Sequence, residues 1–149
     1  PPFIDENHLV EIIRKLKRPY VRYTRADEKN VRKADCLIID CFGLLSSIYR
    51  YGEIAYIGGG FGVGIHNTLE AAVYGIPVIF GPKYQKFQEA IQLLEAKGAF
   101  SVKDYEELKT LLDRMLTDEV FLRESGMNAS NYVTGNAGAT DKIMSMINF

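Results

Sequence analysis

Two cysteines and two histidines are all that the 149 residues offer as soft metal ligands, and the first exclusions follow from that scarcity. Two cysteines cannot staple a chain of this length, so a disulfide scaffold is excluded. Cys36 and Cys41 lack the paired spacing of a zinc ribbon, and no metal site is expected. Long apolar runs are missing as well. Nothing approaches the roughly 18 consecutive residues of a membrane helix, and no basic-then-apolar secretory start opens the chain. Nor is there an excess of charge of one sign. Eighteen basic against 19 acidic side chains leave a net charge of −1, which gives no global support to non-specific binding of nucleic acid or of an acidic membrane surface. The nine tyrosines are scattered rather than grouped with basic residues, so a base-stacking platform is not expected. Linkers, low-complexity tracts and internal repeats are absent too.

What is present is the composition of a globular domain: 47% hydrophobic residues and 25% charged ones. That much apolar side chain excludes a disordered protein, and the length suits one domain, residues 1–149. The chain opens at Pro1-Pro2-Phe3 without an initiator Met and reads as a fragment of a longer protein.

Along the chain, short apolar segments alternate with helical patterns. Leu9, Ile12, Ile13 and Leu16 form a helical stripe behind Asp5 as N-cap. Pro19 ends that helix, and Tyr20 to Tyr23 reads as a strand. Arg25 to Lys33 reads as a loop. Cys36 to Asp40 is a continuous apolar run closed by an acid, the mark of a strand buried on both faces. Leu44, Leu45, Ile48 and Tyr49 share a helical face. Ile54 to Ile57, Pro77 to Phe80 and Ala99 to Val102 are further strands. Helices are expected near 67–74, over 87–97 with Gly98 as C-cap, and from Asp104 onward, with two more over 118–131 and 137–147. The resulting fold class is α/β: a single Rossmann-like domain, a parallel sheet with helices on both faces.

Ligands of such sheets bind beyond the carboxyl ends of the strands. Three strand ends stand out: Asp40-Cys41-Phe42-Gly43, the stretch Gly58 to Glu70, and Gly81-Pro82-Lys83. Five glycines between Gly58 and Gly64 let main-chain N–H groups approach a ligand closely. From Gly58, Gly60 or Gly62 the dinucleotide fingerprint requires a third glycine at Val63, Ile65 or Asn67, so it fails; the Walker loop fails for want of Gly-Lys-Ser/Thr. No nucleophile elbow and no Ser/His/Asp set is present. At the following helix, His66-Asn67-Thr68-Leu69-Glu70 gathers polar groups, and one carboxylate with two oxygens suits the paired hydroxyls of a ribose. Dipole compensation, or a cap shared with Asn67, is the structural alternative for Glu70. His8 reads as structural and Cys36 as a small core residue.

The run Glu70 to Val78 resembles the Glu-Ala-x-x-x-Gly-x-Pro-Val element of the donor domain of GT-B glycosyltransferases. More closely, the stretch from Asp40 to Pro82 is similar to the C-terminal domain of bacterial 3-deoxy-D-manno-octulosonic acid (Kdo) transferases. Asp40-Cys41-Phe42-Gly43-Leu44-Leu45 matches that family's Asp-x-Met-Gly-Glu-Leu, and Gly58-Gly59-Gly60-Phe61 its strand end Gly-Gly-Ser. Gly64 to Glu70 matches Gly-Gly-His-Asn-x-Leu-Glu, and Val78 to Pro82 a strand ending in Gly-Pro. Leu44 stands where the family has Glu, and Ile65 where it has Gly. The family's Pro-Arg-His-type strand end would fall near Pro1-Pro2, which does not match it.

The resemblance implies the C-terminal half of a GT-B fold. It implies transfer of Kdo from CMP-Kdo to a lipid A precursor in lipopolysaccharide synthesis, at the cytoplasmic face of the inner membrane, by the full-length enzyme. It places the CMP part against Phe42, Gly43, Leu44, Gly59, Gly60, His66, Asn67, Thr68, Leu69 and Glu70. It implies no cofactor besides the donor substrate. Base and acceptor surface would belong to an N-terminal domain, so this chain alone would be inactive. Half of a GT-B-like UDP-sugar epimerase and a non-catalytic nucleotide-binding domain remain the competing readings; CMP against UDP binding separates the first two.

Overall fold

Val78-Ile79-Phe80 carries no polar side chain, and a strand of that kind is stable only with both faces covered. In the computed structural model, which describes residues 5–147, it is β4 (Val78–Phe80), and all three side chains are fully buried. It pairs in parallel with β3 (Ala55–Ile57) on one side and β5 (Ala99–Ser101) on the other, so the order is β3-β4-β5. The two faces of β4 feed two cores. Val78 and Phe80 join Ala55, Ile57, Ile65, Ala71, Ala72, Ala90, Leu93 and Ala129. Ile79 points the other way, into Val102 and Met115. Helices α4 (Leu69–Ala72) and α5 (Gln88–Glu95) supply the first cluster; α6 (Tyr105–Thr117) supplies Met115 to the second. Period-2 burial thus forces helices onto both faces, as the α/β reading requires.

The chain divides into two compact units, Pro1–Leu45 and Ser46–Phe149, where the sequence predicts one domain. The strands accordingly pair in two parallel sheets, not one. In the first unit, α1 (Glu6–Lys15) starts at Asp5, whose carboxylate accepts the Asn7 N–H at 2.9 Å. β1 (Tyr20–Arg22) pairs with β2 (Cys36–Ile38). The expectation that β2 is buried on both faces is corrected: Leu37 is 49% exposed, and Cys36 is half-buried. β2 has one partner strand within its sheet, and one neighbour does not enclose a strand. Tyr23 leaves the strand for a 3-10 turn, Tyr23–Arg25. The expected loop beyond it contains α2 (Glu28–Val31), held by a capping box between Asp27 and Asn30. Pro1 and Pro2, where the Pro-Arg-His element was sought, lie outside the described residues.

Three further expectations change in the second unit. The helix after Asp40 is brief, α3 (Leu45–Ile48), and passes into a 3-10 turn, Tyr49–Tyr51. At the end of α5 the left-handed residue is Lys97, φ +59°, not Gly98. Gly98 is small for another reason: a Cβ there would lie 2.5 Å from the Ala129 nitrogen. The two terminal helices are one, α7 (Glu119–Ile147), which runs through Gly135 and Gly138. Among the described residues no helix is long and apolar enough to cross a membrane.

Candidate functional site

Ile57 is buried, and the chain must turn immediately after it, which is where the glycines act. Gly59 takes φ +90°, and a Cβ on it would collide with the Gly64 carbonyl. The loop closes on itself through the Gly59 carbonyl, which accepts the N–H groups of Gly62 (2.9 Å) and Gly64 (3.1 Å). Gly60 lies main chain to main chain against Gly81, since a Cβ on Gly60 would sit 2.5 Å from the Gly81 nitrogen. The Lys83 N–H donates to the Gly60 carbonyl at 2.9 Å. The ends of β3 and β4 are therefore tied by backbone alone.

Past the loop, Asn67 starts α4: its Oδ1 accepts the Leu69 N–H at 3.0 Å, and its Nδ2 donates to Glu70 Oε1 at 3.2 Å. One side chain, just ahead of the N-cap residue Thr68, thus satisfies the first N–H of the helix and orients the carboxylate, engaging one of its two oxygens. His66 and Asn67 are exposed, Leu69 and Glu70 half-buried. Thr68 is 1% exposed, and its Oγ1 has no hydrogen-bond partner among the described residues, an unusual state for a buried hydroxyl. Tyr49, which the sequence offers only as part of an apolar helical face, stands near this group. Burial raises its hydroxyl pKa first, and the charge of Glu70 raises it further. Of the residues expected to hold a nucleotide in this unit, His66 and Asn67 are exposed and Gly59, Leu69 and Glu70 partly so, while Gly60 and Thr68 are buried and offer no side-chain surface to a ligand.

Phe42, Gly43 and Leu44 belong to the other unit. Phe42 is 62% exposed, and Gly43 takes φ +86°. They follow Asp40, whose carboxylate accepts the Thr24 hydroxyl (2.6 Å), the Thr24 N–H (2.9 Å) and Arg22 Nε (2.6 Å). Arg22 also bonds Glu6 with both terminal nitrogens, at 2.7 and 3.2 Å. The Thr24 hydroxyl above all, opposed by burial and helped by the Thr24 N–H and Arg22, holds the Asp40 carboxyl well below the usual carboxylate range. A depressed folded-state pKa stabilises the fold above the unfolded value, near 4, and that contribution is lost as pH falls below it. Amides of β1 should therefore lose hydrogen-exchange protection on acidification below about pH 4. Asp40→Asn should be less protected than wild type at pH 7 and much less sensitive to acid; equal acid sensitivity in both proteins would refute this role for Asp40. Among the described residues, no group of three or more His, Cys, Asp or Glu side chains is placed to hold a metal.

No family model matches the chain. The 3-deoxy-D-manno-octulosonic acid transferase of Aquifex aeolicus (strain VF5) is 42% identical over 87 residues, 57% of this chain and 25% of that protein. The enzyme of the same name from Rickettsia bellii (strain RML369-C) is 32% identical over 116 residues, 76% of this chain and 28% of that protein. The chain spans about a quarter of the length of the curated relatives it matches. Among solved structures, the C-terminal CMP-Kdo binding domain of WaaA from Acinetobacter baumannii matches with a TM-score of 0.72 at 19% identity, covering 85% of this chain and 67% of that one. The α/β fold is thus that of a C-terminal GT-B domain.

Proposed function

We propose that this chain, a relative of the 3-deoxy-D-manno-octulosonic acid transferases that spans about a quarter of their length, is a donor-binding domain that holds CMP-Kdo. The observation that carries the reading is the Asn67–Glu70 pair (3.2 Å) at the helix mouth directly behind the glycine loop. In it a carboxylate is oriented by a neighbouring amide and keeps acceptor capacity for a ribose diol. The phosphate is assigned to the glycine-loop side of this pair, where the small residues leave room for its close approach. In the full-length enzyme the sugar would pass from CMP-Kdo to a lipid A precursor at the cytoplasmic face of the inner membrane. The acceptor surface and general base are assigned to an N-terminal domain, so this chain alone should bind without turning over.

A ligand that binds only the folded state raises the melting temperature by mass action, by about 2.7 kcal/mol of stability at a hundredfold excess over Kd. Millimolar CMP should therefore raise the melting temperature of the 149-residue chain by several degrees, and UMP by much less. A well-folded sample that shows no shift with CMP would overturn the reading; equal shifts with both nucleotides would favour a different nucleotide-sugar chemistry.

A further inference from the structure

Beside the glycine loop, the turn after β4 borders a cavity of about 310 Å³ lined by Gly62, Val63 and Gly64 from the loop and by Lys83, Gln85, Lys86 and Phe87 from the turn. Two lysines face this space and no acid does. Neither lysine is in an ion pair with any described residue. The frame around them is built. Lys83 is pinned by its N–H to the Gly60 carbonyl, and the Phe87 N–H donates to the Tyr84 carbonyl at 2.9 Å. Gln85 braces the turn from within: its Nε2 donates to the Pro82 carbonyl (2.8 Å) and its Oε1 accepts the Tyr84 N–H (3.2 Å). The Phe87 ring rests on Gly64, where a Cβ would come within 3.0 Å of it. Two unpaired cations held beside one cavity repel each other, and an anion between them relieves that repulsion.

We propose that Lys83 and Lys86 form an anion subsite for the carboxylate of the sugar acid joined to CMP, an inference that rests on the donor-site reading above. The cavity shares Gly62–Gly64 with the loop and contains none of Asn67, Thr68, Leu69 and Glu70, so its lining is separate from the residues assigned to the nucleoside. In a CMP-linked sugar the phosphate adjoins the ribose and the sugar lies past it. The second anion of such a donor is the sugar's carboxylate, carried on the carbon that bears the phosphate, so a pair of cations next to the glycine loop is within its reach. Its volume, at the low end for ligand pockets, suits one sugar rather than a whole nucleotide sugar. Lysine serves here as a point charge, which tolerates the rotation of a carboxylate on a flexible ring.

The test compares CMP with CMP-Kdo by calorimetry on the wild-type chain and on the Lys83→Gln/Lys86→Gln double variant; both side chains are exposed, so folding is not at stake. Wild type should bind CMP-Kdo about tenfold or more tightly than CMP, and the variant should lose that preference with CMP affinity unchanged. Equal weakening of both ligands would mean that the lysines hold the nucleotide phosphate, and overturns the proposal. So does a preference that survives in the variant, or a wild type that binds CMP without any preference. A wild type that binds neither ligand removes the donor site itself, and the subsite with it.

Discussion

Glu70→Gln should lower CMP affinity about tenfold to a hundredfold while leaving the fold intact. The substitution keeps size and one carbonyl oxygen, which can still accept the Asn67 amide that now lies 3.2 Å from Oε1. What it removes is the charge. Hydrogen bonds from ribose hydroxyls to a carboxylate contribute roughly 1.5–3 kcal/mol each when desolvated, and the half-buried position of Glu70 places it at the low end. A purely structural Glu70 forecasts something else: about 0.3–1 kcal/mol of lost stability from the helix dipole and no change in affinity. 2′,3′-Dideoxy-CMP separates the two. It should bind wild type weakly and lose little more in Glu70→Gln, because the hydroxyls that the carboxylate holds are already gone. If both nucleotides weaken equally, Glu70 is not a ribose ligand. Tyr49 supplies an internal check, since its hydroxyl pKa should fall in the variant once the smaller of its two raising causes is removed.

The second large effect is on stability, and it sets two forces of opposite sign against each other within one helix. Glycine inside a helix costs about 1 kcal/mol relative to alanine, so propensity alone makes every Gly→Ala change in α7 stabilising. At Gly126 a Cβ would collide with the carbonyl oxygen of Gly75, while at Gly135 and Gly138 it would meet nothing within 4 Å. Gly126 is buried where α7 packs on α4, and the obstructing atom is main chain, which cannot rotate away. Overpacking of this kind costs about 1–3 kcal/mol or more and outweighs propensity. Gly126→Ala should lower the thermal midpoint by several degrees. Gly135→Ala and Gly138→Ala should instead raise helix content in the far-ultraviolet spectrum. A stabilised Gly126→Ala would show that α7 does not seat on the Gly75 turn.

These sites also show where sequence is legible. Val78-Ile79-Phe80 announces itself, because only a doubly covered strand can be apolar throughout, and Asp5 and Asp104 announce their helices as N-caps. The glycine loop and the His66–Glu70 cluster were visible from strand-end position and residue type. What sequence hid was held by contacts remote in the chain. The helix at Glu28–Val31 rests on a capping box inside a polar stretch with no apolar stripe to betray it. Gly98 looks like a helix terminator, but its smallness answers Ala129 thirty-one residues later, and Lys97 takes the left-handed turn. The stretch 132–136, with Gly135, reads as a gap between two helices, yet a helix already nucleated over Glu119–Ser130 runs through it. Lys86 carried no signal, because only the fold brings it to the cavity wall beside the glycine loop.

The backbone crossing of Gly60 and Gly81 has a consequence for how this site can evolve. No side chain separates the two strand ends, so neither position can enlarge unless the other main chain retreats; the pair drifts together or not at all. The wall that bears Lys83 hangs from that crossing by a main-chain hydrogen bond, which is indifferent to what residue 83 is. Selection can therefore exchange the side chains at 83 and 86, and with them the charge offered to a ligand, without disturbing the frame that sets the cavity's width. Rigidity at one glycine pair is what makes the neighbouring specificity cheap to change.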